Sequence, residues 1–422
     1  MHRSRLILIT MLLLALLCGC VQTAPQEPAA APAPAEQTEE VLPTEFRQED
    51  VQNNGGYFLG LGRYVYYRDY PVSSFTEPAL WGEFLRAPKP DTPVSIRVYD
   101  TVSRSIVAEI PDDGCGGLWF ANGRLWLLRN DGIDLRTYTL APNGKERHEF
   151  GPGEVKGVTE DGTLLCIAGS ADCRLSLWRN GENVALVKAE GDEQLTYCGF
   201  AGNSVIYLKE TPGKYRAEIC QLDSEGNTIV LGLTHEMPEM EGISMPEFEQ
   251  MVVDGNDVWM VFTWYQGTGH FYYDSRAVKL KLGVADSVES YRLPEKKEED
   301  KMAPPILRLA EPGKVELVSE KEGLLRISED ETGSLEYCDS SDSSIRLING
   351  FIPGTPYENG GKFLQTAEIV GDSAYLAVAD ATRDAAGDVG WRYAFALEDM
   401  TYLRVPLKEN STAETLSAAP QD

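Results

Sequence analysis

Asp254-Gly255-Asn256-Asp257 runs directly into Val258-Trp259-Met260-Val261-Phe262-Thr263. Residues that tolerate a left-handed backbone open into a short β-branched and aromatic run. That is the pattern of a tight hairpin whose second strand is buried on both faces. The unit recurs as LGRYVYY from Leu61, NGRLWLL from Asn122, DGTLLCI from Asp161, GNSVIYL from Gly202, KEGLLRI from Lys321 and GDSAYLA from Gly371. The glycines fall near residues 62, 123, 162, 202, 255, 323 and 371. A step of about fifty residues suits one four-stranded propeller blade with inserted loops.

Each unit is followed by a second strand pair, over 95–110, 134–150, 174–188, 216–233, 276–293, 334–348 and 391–407. Hairpin turns such as Pro142-Asn143-Gly144-Lys145 and Asn180-Gly181-Glu182-Asn183 close them. No helical periodicity competes. The chain therefore reads as all-β, a β-propeller of seven four-stranded blades, with six or eight blades or a pair of β-sandwiches as the competing architectures.

Naming the strands of a blade A to D from the axis outward makes the repeated turn the A–B connection. Three B–C connections, 68–93, 264–275 and 380–390, are long, as are three D–A crossings, 234–247, 294–312 and 351–362. In a propeller these two kinds of connection emerge on one face. That face is expected to carry function.

The composition is strongly acidic, with 38 Lys plus Arg against 66 Asp plus Glu and a formal charge of −28. A field of that sign repels phosphate backbones and argues against a nucleic-acid partner. Residues 1–19 have the build of a secretory leader: Arg3 and Arg5, then an apolar run from Leu6 to Leu17 that is too short to span a membrane. Leu17-Cys18-Gly19-Cys20 resembles the bacterial lipobox, departing from it mildly at Cys18. The resemblance implies cleavage before Cys20, a diacylglycerol anchor on that residue and a place on the extracytoplasmic face of a bacterial membrane. Residues 20–48 continue as an Ala/Pro/Glu-rich linker unable to bury a core. The propeller is then expected over 49–408 and a disordered tail over 409–422. In layout, the whole chain resembles the uncharacterised propeller lipoproteins of bacterial cell surfaces, which implies a monomeric binding protein.

Six cysteines remain outside the leader and anchor, and their spacings match no zinc motif. Only Cys166 and Cys173 lie across one predicted turn, either as a disulfide or as core residues. Asp380, Asp384 and Asp388 are spaced too widely for a calcium loop. The four histidines are scattered, and no nucleophile elbow, zinc-protease motif or phosphate loop is present. No catalytic residue, metal ligand or cofactor is assigned.

The aromatic segment Trp264-Tyr265-Gln266-Gly267-Thr268-Gly269-His270-Phe271-Tyr272-Tyr273 offers Trp264, Tyr265, His270, Tyr272 and Tyr273 as ligand contacts, with Trp81 from the first insertion beside them. Rings with a polar edge stack on sugars or grip peptides. The alternative is that they continue the strands into the core. The function expected is a membrane-anchored binding or scaffolding propeller for a protein or glycan ligand. Two others compete: a glycan hydrolase or lyase with carboxylates at the axial pocket, and an accessory lipoprotein of an envelope or transport complex.

Overall fold

The computed structural model describes residues 42–71, 79–80, 93–130, 134–169, 173–211, 217–234, 247–266, 271–292, 306–311, 313–318, 325–327, 334–340, 343–348, 360–383 and 394–416. Beyond one 3-10 turn at Gln48–Asp50, every described element is a strand. The strands form successive antiparallel meanders: five strands in 51–112, and four each in 115–152, 154–188, 194–233 and 247–292. A two-stranded hairpin over 306–318 and a three-stranded meander over 325–348 follow. The last sheet takes four strands from 360–415 and a fifth from Ala79–Leu80. The arrangement is propeller-like.

The repeated turn forms as the sequence implies. Asp254 pairs with Asp257, and Gly255 between them takes φ +59°. The run that follows then splits by alternation. Val258, Met260, Phe262 and Trp264 enter a core shared with Ile206, Leu208 and Ile219 of the preceding sheet. Val261 and Trp259 face Leu307 and Val315 of the following one. A strand buried on both faces needs an unbroken apolar run, which is why no polar alternation marks it.

The sixth unit corrects the sequence register. A tight turn lies at Gly313, φ +82°, with Glu311 opposite Lys314, and the turn expected at Gly323 lies outside the described residues. The crossing expected over 294–312 therefore contains the inner strand Ile306–Glu311.

Seven buried apolar clusters are found among the described residues, and each joins two consecutive sheets. One of them joins the last sheet to the first: Tyr375, Ala377 and Tyr402 pack with Phe58, Tyr67 and Tyr70. Inner strands also meet directly. Phe58–Leu61 contacts both Cys115–Ala121 and Gly360–Val370, and Glu154–Val158, Gln194–Ala201 and Glu247–Asp254 contact their successors. Most inner strands carry a register shift, as at Val155/Gly157, Tyr197/Gly199 and Leu364/Thr366. Such bulges add twist where strands crowd together.

Both ends of the folded unit extend past the expected boundaries. Leu42 is buried, and Phe46 packs edge-on against Tyr64, Tyr66 and Phe120. At the other end Glu414–Thr415 pairs with Leu403 and Arg404, and Leu416 is buried. Residues 409–416 are thus an outer strand and its lead-in rather than a disordered tail, because the last sheet's exposed edge offers them backbone partners. Cys166 and Cys173 are both free; Cys166 is a core residue and Cys173 is exposed.

Candidate functional site at the seam of the first and last sheets

In these meanders the tight turns leave by one side. The strand ends at Tyr70 and Pro93, Thr234 and Glu247, Arg292 and Ile306, Ile348 and Gly360, and Arg383 and Ala394 lie at the other. Two adjoining clefts lie at the strand ends on the elaborated side, about 350 Å³ and about 560 Å³ in volume, sharing Asp69 and Pro71. The first lies between the first and last sheets, with Tyr70 and Arg97 facing Asp399, Thr401 and Tyr402. The second runs over the outer strands of the first sheet, along Pro93, Val94, Ser95, Glu109 and Pro111.

Sheet register explains which residues collect there. Tyr67 stands opposite Arg97, and Arg97 opposite Glu109; one step along, Asp69 stands opposite Ser95, and Ser95 opposite Pro111. Positions two apart share a face, so this row of side chains shares the Tyr67 face, which packs on the last sheet. Asp69 pairs with Arg97 at 2.7 Å. Partial burial holds the Asp69 carboxyl above its ordinary pKa; Arg97 opposes this, while Glu109 and Asp399 add to it. Ser95 donates to Glu109 at 2.7 Å.

The neighbouring position turns the other way. Arg68 is fully buried on the face toward the second sheet and its Nε donates to Asp112 Oδ2 at 2.8 Å. Its Nη1 donates to the carbonyls of Cys115 at 2.8 Å and Gly116 at 2.6 Å, and Tyr138 donates to the other Asp112 oxygen. Burial works against the guanidinium charge, but Asp112 and the tyrosines around it outweigh that and hold the pKa above its ordinary value. Tyr57 donates to the Arg68 carbonyl at 2.6 Å, and the Tyr70 amide donates to the Tyr402 hydroxyl at 3.1 Å. These bonds fix the strand end that presents Asp69 and Tyr70 to the cleft.

At the inner end of the seam Glu368 clasps the two sheets. Its Oε1 accepts from the Tyr57 amide at 2.9 Å, and its Oε2 accepts from the Phe58 amide at 2.9 Å and Asn53 Nδ2 at 2.6 Å.

The residues expected to bind ligand are placed differently. Trp264 is a correction: it is fully buried in the core between the fourth and fifth sheets and cannot serve as a rim contact. Strands Asp257–Gln266 and Phe271–Lys281 extend far into what was expected to be a loop, pairing Tyr265 with Tyr272, and Tyr273 lies on the second of them. Burial of Trp264 follows from that extension, since it keeps the inward phase of Val258, Met260 and Phe262. His270, Trp81 and Cys20 lie outside the described residues. Asp380, expected in an acidic loop, is on strand Ser373–Arg383 near Lys362, while Asp384 and Asp388 lie outside the described residues. Arg68, Asp112 and Glu368 were not singled out by sequence, because a lone charge in an apolar run does not reveal a partner many residues away. No group of three metal-ligating side chains occurs among the described residues.

No family model matches the chain, and no curated protein matches it. Solved structures do. It is similar to the β-propeller domain of the Trilobed protease from Pyrococcus furiosus, at 8% identity and TM-score 0.40, over 88% of this chain and 99% of that one. An ulvan lyase of a polysaccharide lyase family bound to an oligosaccharide is similar at 8% identity and TM-score 0.45, over 89% and 98%. AztD from Citrobacter koseri is similar at 9% identity and TM-score 0.38, over 77% and 92%. Likeness at this level says nothing of ligand or chemistry.

Proposed function

We propose that the chain is a lipoprotein anchored through Cys20 on the extracytoplasmic face of a bacterial membrane, whose seven-bladed propeller binds a protein or glycan on its elaborated side. One observation carries the binding part: the described strand ends that flank the longest connecting stretches of sequence lie on the side that opens the seam clefts, while the described connections at the opposite strand ends are short turns. Function gathers on elaborated loops held by a rigid scaffold. The anchor rests on Leu17-Cys18-Gly19-Cys20 and the short apolar leader before it.

The test is binding of the full mature chain, held in detergent, to arrays of cell-surface glycans and of envelope-protein peptides. The expected result is a saturable ligand that is lost when residues 235–246 are replaced by a short Gly-Ser linker. A change at Asn180-Gly181, on the opposite side, should leave binding intact. Equal loss from both changes, or no ligand on either array, overturns the reading. Cleavage of an arrayed glycan would move the protein to the enzymes.

A further inference from the structure

We infer that the protein stands on its membrane with the tight-turn side inward, so that the elaborated side faces away and receives partners from the aqueous side. The inference rests on the proposed anchor at Cys20 and on the elaborated side being the binding side.

The first described residues are fastened to the tight-turn side. Phe46 packs edge-on against Tyr64 at 6.1 Å and Phe120 at 6.3 Å between ring centres. Those two residues flank the turns at Gly62 and Gly123. Gln48 lies against the turn at Gly162 of the third sheet. The Asp50 carbonyl accepts from the Gly62 amide at 3.1 Å, and Val51–Gln52 pairs with Gly60–Leu61 along the inner edge of the first sheet.

The next residues lock this entry to the second sheet. Asn54 Nδ2 donates to the Phe120 carbonyl at 2.9 Å, and its Oδ1 accepts from the Phe120 amide at 2.7 Å. The Gly55 amide donates to the Leu118 carbonyl at 2.8 Å. Gly117 has no room for a Cβ because the Gly55 carbonyl lies over it. The doubled glycines at 55–56 and 116–117 thus let two backbones meet.

The point at which the folded unit receives a tether is therefore fixed. Leu42 is buried in the core between the first two sheets. The four residues from Phe46 back to Leu42 span at most about 14 Å, whereas the seven-residue strand Arg124–Asn130 runs about 23 Å. Leu42 thus stays short of the elaborated strand ends. A tether from Cys20 meets the turn side first. Bringing the elaborated side to the membrane would draw that tether past the length of the strands, and the conformations it gives up oppose this. A partner in solution or on an opposing surface reaches the elaborated side directly, while a protein embedded in the same membrane meets the turns.

The third sheet offers a ruler. Cys173 and Glu182 lie at opposite ends of strand Arg174–Arg179, about 20 Å apart along it. Cys173 is exposed on the elaborated side, and Glu182 is exposed beside the turn Asn180-Gly181. The lipidated mature chain is placed in the outer leaflet of vesicles that carry an acceptor dye on their headgroups. A donor dye goes on Cys173, or on the cysteine of Cys173→Ser with Glu182→Cys; Cys173→Ser alone supplies the background to subtract. Both sites are exposed, so labelling is expected to keep the melting temperature. Energy transfer to the lipid should be at least about twofold greater from position 182 than from position 173, given that separation. Detergent should remove the difference.

Equal transfer from the two positions, or greater transfer from Cys173, in a chain that floats with the vesicles overturns the inference and leaves the anchor standing. A mature chain that fails to float removes the anchor, and the orientation with it.

Discussion

Arg68 and Asp112 form an ion pair, Nε to Oδ2 at 2.8 Å, with neither side chain exposed to solvent. Leaving a buried charge without its partner costs about 3–5 kcal/mol. Arg68→Ala is therefore expected to lose that much stability in urea unfolding. Arg68→Met with Asp112→Asn should lose clearly less than the sum of the single changes. Additive losses would mean that the pair acts only through packing.

Trp264→Ala should behave as a core truncation, costing about 3–5 kcal/mol. The ring is fully buried among apolar residues of two sheets. A loss below about 1 kcal/mol in chemical denaturation would return it to the surface.

That placement shows where sequence patterning carried and where it stopped. Val258 to Phe262 form an unbroken apolar run, so two-sided burial could be read from them, and six of the expected hairpins with it. How far the strand continued could not be read, because the rings from Trp264 to Tyr273 suit a rim as well as a core. The hairpin at Gly313 was not read, because Pro312 before it and Lys314 after it hide the polar-to-apolar step that marks the other turns. The cleft was illegible for a deeper reason. Asp69 and Asp399 line one cleft because the last sheet packs on the first, and no local signal records a neighbourhood across that much chain.

Glu368 accepts two backbone amides and one side-chain amide across the seam. Glu368→Ala leaves those donors unmet, at a cost on the order of 1–3 kcal/mol. The loss should be local first. Hydrogen exchange at Tyr57 and Phe58 is expected to speed up more than exchange at Val258 or Met260 in the fifth sheet. Uniform acceleration would show that the seam opens only with the whole fold.

Alkaline pH should unfold the protein through its tyrosines. Burial pushes the Tyr375 hydroxyl up to about 12, with Arg404 opposing. Burial likewise raises Tyr57, Tyr138 and Tyr402. An unfolded tyrosine ionises near about 10. Between that value and the raised folded values, the folded chain holds protons that the unfolded chain releases, so stability is full below about pH 10 and falls above it. The urea midpoint should hold from about pH 8 to 9 and drop steeply beyond 10, with phenolate absorbance rising together with loss of the folded signal. Phenolate formation at about pH 10 with the fold intact would place these hydroxyls in contact with water.

Cys20→Ala tests the anchor separately from the fold. Residues 42–422 form their own compact unit, to which residue 20 does not belong. Unfolding of the variant should therefore match that of the unchanged chain. Membrane retention should not. The field of a chain with formal charge −28 opposes adsorption to anionic lipid, so retention is expected to depend on the proposed acyl chains. Without the thiol, no diacylglycerol can be attached, and cleavage before residue 20 is expected to stall. The variant should either accumulate as a larger precursor that keeps its apolar leader or appear in the aqueous phase after detergent partitioning. A variant of mature size that partitions into detergent as the unchanged chain does would remove the lipobox from the account.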